Sequence, residues 1–222
     1  MQLFENIHLF EGSGFDGNIY LLIDGSNVTL IDTGTGLSLQ GLYDYIESLG
    51  LKKKDIRKVI LSHVHIDHSG GLPKIVKDVS PEVCVYESEA QYIESGKGSV
   101  ILSTMMGLSY PPTKVDVKIK NGDVLKIGDL KLRTINTPGH TEGSICLFEE
   151  ERGLLFSGDT VFADGSFGRV DFPTGDADAL IKSIGMLATL DVKHLFPGHM
   201  RAVLNEGHRH IELAAKYSSM YL

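Results

Sequence analysis

Apolar residues recur along this chain at two spacings, and those spacings divide it into strands and helices. Asn18–Asp24 and Val28–Asp32 are apolar runs separated by Gly25-Ser26-Asn27, which predicts a hairpin. The second run ends in Asp32-Thr33-Gly34. Leu39, Leu42, Ile46 and Leu49 then recur at helical spacing, with Ser38 able to cap the helix and Gly50 placed to stop it. Val59–Leu61 reads as a short buried strand that runs straight into Ser62-His63, which puts the segment after it on a loop at a strand's end. A helix over Leu72–Val79, a strand over Val83–Tyr86 and a helix over Glu87–Ser95 follow. Strands return at Val115–Ile119, Val124–Ile127, Leu130–Ile135, Ser144–Phe148 and Leu154–Phe156. Ala177, Leu180, Ile181, Ile184 and Leu187 form one helical face, His194–Phe196 a strand, and Glu206–Tyr217 a final helix.

Residues 96–113 break the pattern. Gly96-Lys97-Gly98 opens the segment and Pro111-Pro112 closes it, with Met105, Met106, Leu108 and Tyr110 between. It reads as an insertion of irregular structure. No Pro- or Ser-rich linker divides the rest, so residues 1–222 are expected to form a single α/β domain. Two strand-rich halves with helices outside predict a four-layer αββα sandwich of two mixed β-sheets flanked by helices.

Composition narrows the function classes. With 222 residues, 42% hydrophobic and 23% charged, the chain is long enough for one sizeable core and is not composed like a disordered one. No apolar run is long enough to span a membrane, and MQLFENIHLFEG lacks a basic region followed by an apolar stretch, so a cytoplasmic protein is expected. The net charge is −8 and Lys and Arg are scattered, which argues against a nucleic-acid partner. The run Lys52-Lys53-Lys54 reads as a solvated loop. Cys84 and Cys146 sit in VCVY and ICLF without a Cys-x-x-Cys partner, and are expected to be buried reduced thiols.

The candidate chemistry is concentrated in His63-Val64-His65-Ile66-Asp67-His68. On an extended or loop backbone, side chains two apart point the same way, so His63 and His65 can bind one ion together. Asp67 and His68 then turn toward a neighbouring position. Imidazole with carboxylate suits zinc, iron, manganese or cobalt better than calcium. Burying four such groups unpaired would be costly. His140, Asp159 and His199 each follow a strand, in PGH, SGD and PGH, where glycine provides a tight turn and presents a ligand-type residue at its tip. His8, His194, His208 and His210 lack that context and are expected to be structural or solvent-facing. No Gly-x-Ser-x-Gly elbow is present, and neither cysteine precedes a Gly-rich turn.

In type and order, across nearly the whole chain, this set resembles the metallo-β-lactamase superfamily. The resemblance implies that His63, His65 and His140 hold one metal, that Asp67, His68 and His199 hold a second, and that Asp159 bridges them. Asp32 stands where that family has an acidic residue beneath the site. Two divalent ions are expected, zinc first, with iron or manganese as alternatives, and Asp67 and Asp159 are the expected catalytic residues. The run FSGDTVFADGSFGRVDF is similar to the short, single-domain glyoxalase II-like branch and to the persulfide dioxygenases. It implies a metal-activated hydroxide acting on a thioester or related ester, as in hydroxyacylglutathione hydrolysis. A mononuclear-iron persulfide dioxygenase and a lactonase or other bond hydrolase are the alternatives. Arg169 is expected to brace its loop by pairing with Asp171 or another acid, with contact to an anionic substrate as the alternative. The 96–113 segment is expected either to lie near the active site, selecting an acyl or thiol group, or to pack elsewhere or form a dimer contact. The partner expected is a small-molecule substrate, with a homodimer contact considered through the final helix or the insertion.

Overall fold

Strand formation begins earlier than the apolar pattern indicates. Gln2–Phe4 (β1) and Ile7–Phe10 (β2) pair antiparallel around a turn at Glu5 and Asn6. A buried polar residue, His8, interrupts the second run, and its Nδ1 lies 3.0 Å from the Tyr45 hydroxyl. The computed structural model describes residues 1–222. The chain falls into two compact units, residues 1–118 and 119–222.

The first unit is built on a seven-stranded mixed sheet, in the order β1 to β7. β3 (Ile19–Asp24) and β4 (Asn27–Ile31) form the expected hairpin. β5 (Ile56–Ile60) joins β4 in parallel, and β6 (Glu82–Tyr86) joins β5 in parallel. β7 (Val117–Ile119) closes the sheet. Leu21, Leu22, Leu30, Val59 and Ile60 are fully or almost fully buried, each removal from water contributing about 1.5–3 kcal/mol. Helix α1 (Leu39–Ser48) buries Leu39, Leu42, Tyr43 and Ile46 on one stripe, and Gly50 beyond it takes the left-handed backbone expected of a stop. Ser38 does not cap α1 as expected. Its hydroxyl instead donates to Asp16 at 2.8 Å, because Asp16 also accepts the Thr35 N–H nearby and draws the side chain away.

Four short helices complete the unit: α2 (Ile66–Ser69), α3 (Leu72–Val79), α4 (Ala90–Ser95) and α5 (Gly98–Ile101). The last lies in the 96–113 segment, where Val100, Ile101, Leu102 and Tyr110 are buried while Met105 is exposed. The Tyr110 phenol is buried beside Ser69, and burial pushes its pKa up.

The second unit is a five-stranded sheet, ordered β12-β11-β10-β9-β8. β8 (Val124–Ile127), β9 (Leu130–Asn136), β10 (Ile145–Glu149) and β11 (Leu154–Gly158) run antiparallel, and β12 (His194–Pro197) lies parallel to β11. β8 is the edge and exposes Val124 and Lys126, whereas every residue of β10 and β11 is buried. α6 (Ala177–Leu187) starts at Asp176, whose carboxylate accepts the Ala179 N–H at 2.9 Å. Its Leu180, Ile184 and Leu187 join Phe148, Leu155 and Leu195 in the core. α7 (Gly207–Tyr221) adds Ile211 and Ala214 to that core. No helix is long and apolar enough to cross a membrane.

Candidate metal centre

In the first unit the sheet delivers its ligand-type residues just past β5. His63-Val64-His65 is non-helical, as expected, but Asp67 and His68 lie on the single turn of α2 rather than on a loop. The His65 carbonyl starts that turn, accepting from the N–H groups of His68 (3.0 Å) and Ser69 (2.8 Å). The imidazoles of His63, His65 and His68 are all buried and gathered, with ring centroids 4.9 Å apart for His63 and His65 and 4.2 Å for His63 and His68.

Asp32 organises this cluster. It follows β4 with φ +64°, the left-handed region that Asp tolerates better than most residues. Its Oδ1 accepts the Ser62 N–H at 2.7 Å, and its Oδ2 accepts the Ser62 hydroxyl at 2.7 Å and the His68 Nδ1–H at 2.9 Å. Since Ser62 gives its one proton to Asp32, its Oγ accepts from His63 Nδ1 at 3.0 Å. Both rings therefore carry their proton on Nδ1 and a lone pair on Nε2, the arrangement a metal-binding histidine needs. Asp32 is legible from the sequence, whereas Ser62 carries no signal beyond its position directly before His63. Replacing Asp32 by asparagine, which tolerates the same backbone, is expected to weaken metal affinity about 10–100-fold, measured as zinc transfer to a chromophoric chelator.

The second unit presents His140, Asp159 and His199 from three turns after β9, β11 and β12. His140 Nδ1–H donates to the Arg169 carbonyl at 2.6 Å, which again places the lone pair on Nε2. Asp159 Oδ2 lies 3.5 Å from His140 Nε2 and 3.5 Å from His199 Nε2. Gly139 (φ +136°) and Gly158 (φ +48°) have the expected backbone freedom. Gly198 does not, and the left-handed residue of that turn is Met200 (φ +66°). Here the turn is held by the Gly198 N–H, which donates to the Gly158 carbonyl at 2.7 Å. Gly139 also abuts α6 so closely that a Cβ there would lie 2.3 Å from the Leu180 nitrogen.

Arg169 forms two parallel bonds to Asp171, Nε to Oδ1 at 2.8 Å and Nη2 to Oδ2 at 2.6 Å, and stacks on Phe172. The pair braces the backbone whose carbonyl aims His140. The remaining histidines are engaged elsewhere, His194 with the Asn205 N–H and His208 with Glu212.

The donor chemistry fits a divalent cation. The Nε2 lone pair of His140 faces the carboxylate of Asp159, and that of His68 faces Asp67 Oδ2 at 3.7 Å, so two acceptors meet in each unit. Such pairs need a positive charge between them, and protonating several buried imidazoles at once would be costly.

Residues 12–199 match the model of the metallo-β-lactamase superfamily. A probable metallo-hydrolase of Methanocaldococcus jannaschii is 33% identical over 192 residues, 85% of this chain and 89% of that protein. An acyl-coenzyme A thioesterase of Homo sapiens is 31% identical over 240 residues, 95% of this chain and 81% of that protein. A hydroxyacylglutathione hydrolase of Haemophilus influenzae is 29% identical over 182 residues, 81% of this chain and 82% of that protein. Among solved structures, a metallo-β-lactamase family protein of Thermus thermophilus superposes with a TM-score of 0.78, at 22% identity, over 99% of this chain and 81% of that one. The α/β fold expected from the sequence, two mixed sheets with flanking helices, is therefore the fold of this chain.

Proposed function

Because the chain belongs to the metallo-β-lactamase superfamily, we propose that this hydrolase cleaves thioesters at a site of two divalent metal ions, zinc first among the candidates. His63, His65 and His140 serve one ion, Asp67, His68 and His199 the other, and Asp159 both. The pairs gathered within each unit support the reading, His68 Nε2 with Asp67 Oδ2 in the first and His140 and His199 Nε2 with Asp159 Oδ2 in the second. The observation that carries it is the approach of His140 Nε2 to Asp159 Oδ2, two acceptors 3.5 Å apart. The human relative named as an acyl-coenzyme A thioesterase, matched over 95% of this chain, supports a thioester as the bond cleaved.

When bound, such ions lower the pKa of water toward ~7 and draw charge from a carbonyl oxygen. The protein's part is orientation and proton handling. Ser62, Asp32 and the Arg169 carbonyl fix the tautomers of His63, His68 and His140. The Asp67 side chain is 25% exposed against 7% for Asp159, which supports Asp67 as the carboxylate that would take a proton from water and pass it to solvent. The departing thiolate, of pKa about 8.5 as a free thiol, needs no positioned acid. The chain's own sulfur is not the nucleophile. Burial pushes Cys84 up to about 12 and Cys146 up to about 11.

Zinc-loaded protein is expected to release free thiol from an acyl-coenzyme A or an acylglutathione with kcat/KM of about 10⁴ M⁻¹s⁻¹ or more, to stop on chelation and to recover with zinc. Elemental analysis is expected to give close to two metals per chain. A protein holding close to one iron, and consuming oxygen with a persulfide, would replace this reading with the dioxygenase. Hydrolysis of lactones alone would keep the metal reading and change the substrate.

A further inference from the structure

The second unit contains a buried histidine that the proposed chemistry does not use. His210, on α7, is 7% exposed, and its Nδ1 accepts the backbone N–H of Asp164 at 2.7 Å. A ring nitrogen that accepts is unprotonated, so His210 is held neutral with its proton on Nε2. Burial pushes its pKa in the same direction, downward. Asp164 sits in a 3-10 turn, Ala163–Gly165, with φ +59°, a backbone uncommon outside glycine. The next residue, Gly165, lies so close to α7 that a Cβ would come within 2.7 Å of Leu213 Cβ. Two consecutive residues therefore seat this turn on the helix.

From the turn, two contacts reach the segment that presents His199. The Asp164 carboxylate accepts from Arg201 at 2.7 Å, and Phe162 meets the His199 ring edge to face with centroids 5.9 Å apart. The His199 side chain is 28% exposed against 4% for His140, so its orientation depends more on such neighbours.

We propose that His210 is a positioning residue: by holding Asp164 in its left-handed turn, it sets Arg201 and Phe162, and through them the orientation of the His199 imidazole toward Asp159. The proposal rests on the reading of His199 and Asp159 as ligands of the second ion. Its effect is specific to the ion that His199 serves, and it acts from a helix that carries no ligand-type residue of the set.

The test is a zinc titration of the apoprotein against a chromophoric chelator, for the wild type, His210→Phe and His210→Gln. Phenylalanine keeps the bulk of the ring and removes the acceptor, whereas glutamine keeps an acceptor oxygen. The first binding step of His210→Phe is expected to stay within about twofold of wild type and the second to weaken about tenfold or more, with most of that loss recovered in His210→Gln. The two variant apoproteins are expected to melt within a few degrees of each other. An unchanged second step in His210→Phe, or no recovery in His210→Gln, overturns the proposal. Should His210→Phe fail to fold, Asp164→Gly keeps a residue at ease in the left-handed turn and removes every side-chain acceptor for Arg201. The same second-step loss is then expected, and an unchanged second step overturns the proposal. A wild-type protein that takes up a single zinc defeats the two-ion reading instead. The proposal is then read from the His199 ring signals in NMR spectra of the apoprotein, expected to split or broaden in His210→Phe but not in His210→Gln. Sharp, unshifted signals in both variants overturn it.

Discussion

Asp159→Ala is expected to lower thioester turnover by about three orders of magnitude, the loss of roughly 4 kcal/mol of transition-state stabilisation. Asp159 is the only carboxylate of the second unit's set, and both imidazoles there approach the same oxygen at 3.5 Å. Alanine leaves His140 and His199 with no shared anion, so metal content is expected to fall together with activity. Thermal melting with and without zinc separates this from misfolding. Ligand that binds only the native state stabilises it by about 2.7 kcal/mol at a hundred times its dissociation constant. The wild type is expected to show that gain and Asp159→Ala to lose most of it, while the two apoproteins melt similarly. A variant that keeps two metals and full turnover would remove Asp159 from its role.

Gly168→Ala is expected to damage the same site, less severely, although it adds one methyl group. A Cβ at position 168 would lie 2.1 Å from the Asp159 carbonyl oxygen and 2.8 Å from His140 Nδ1. The first is backbone and cannot rotate away. The second is the atom whose bond to the neighbouring Arg169 carbonyl fixes the His140 tautomer. Overpacking of this kind costs about 1–3 kcal/mol, and for a chain of this size each kcal/mol moves the melting temperature by roughly 2–4 °C. Metal affinity is expected to fall about tenfold or more as His140 shifts. Gly185→Ala is the matched control. Nothing lies within 4 Å of a Cβ there, on the exposed side of α6, so it is expected to be neutral or to add about 0.5–1 kcal/mol of stability.

The site was legible in the sequence to the extent that its chemistry is local. Four ligand-type side chains within six residues, just past a buried strand, survive any uncertainty about register, and the structure gathers three of their imidazoles. Strands such as β10 and β11 were legible because they are buried along their whole length and so carry continuous apolar runs. What escaped notice depends on partners distant in sequence. β1 and β2 are three and four residues long and gain their pairing from β3 and from each other. Ser38 has a capping side chain, yet Asp16, 22 residues earlier, takes its hydroxyl. Gly198 stands at the end of a strand as Gly139 and Gly158 do, yet the unusual backbone falls on Met200, while the Gly198 N–H donates to the Gly158 carbonyl. The brace under His140 is a main-chain oxygen 29 residues away, which no side-chain motif can announce.

The two cysteines have a practical bearing on how such an enzyme is assayed. Cys84 and Cys146 are both unbridged and fully buried, and burial raises both thiols far above neutral pH. Colorimetric disulfide reagents react with thiolates within reach of solvent, and the folded protein presents none. Product thiol can therefore be counted directly in the presence of enzyme, and a slow rise in colour from enzyme alone would report the opening of its sheets rather than turnover.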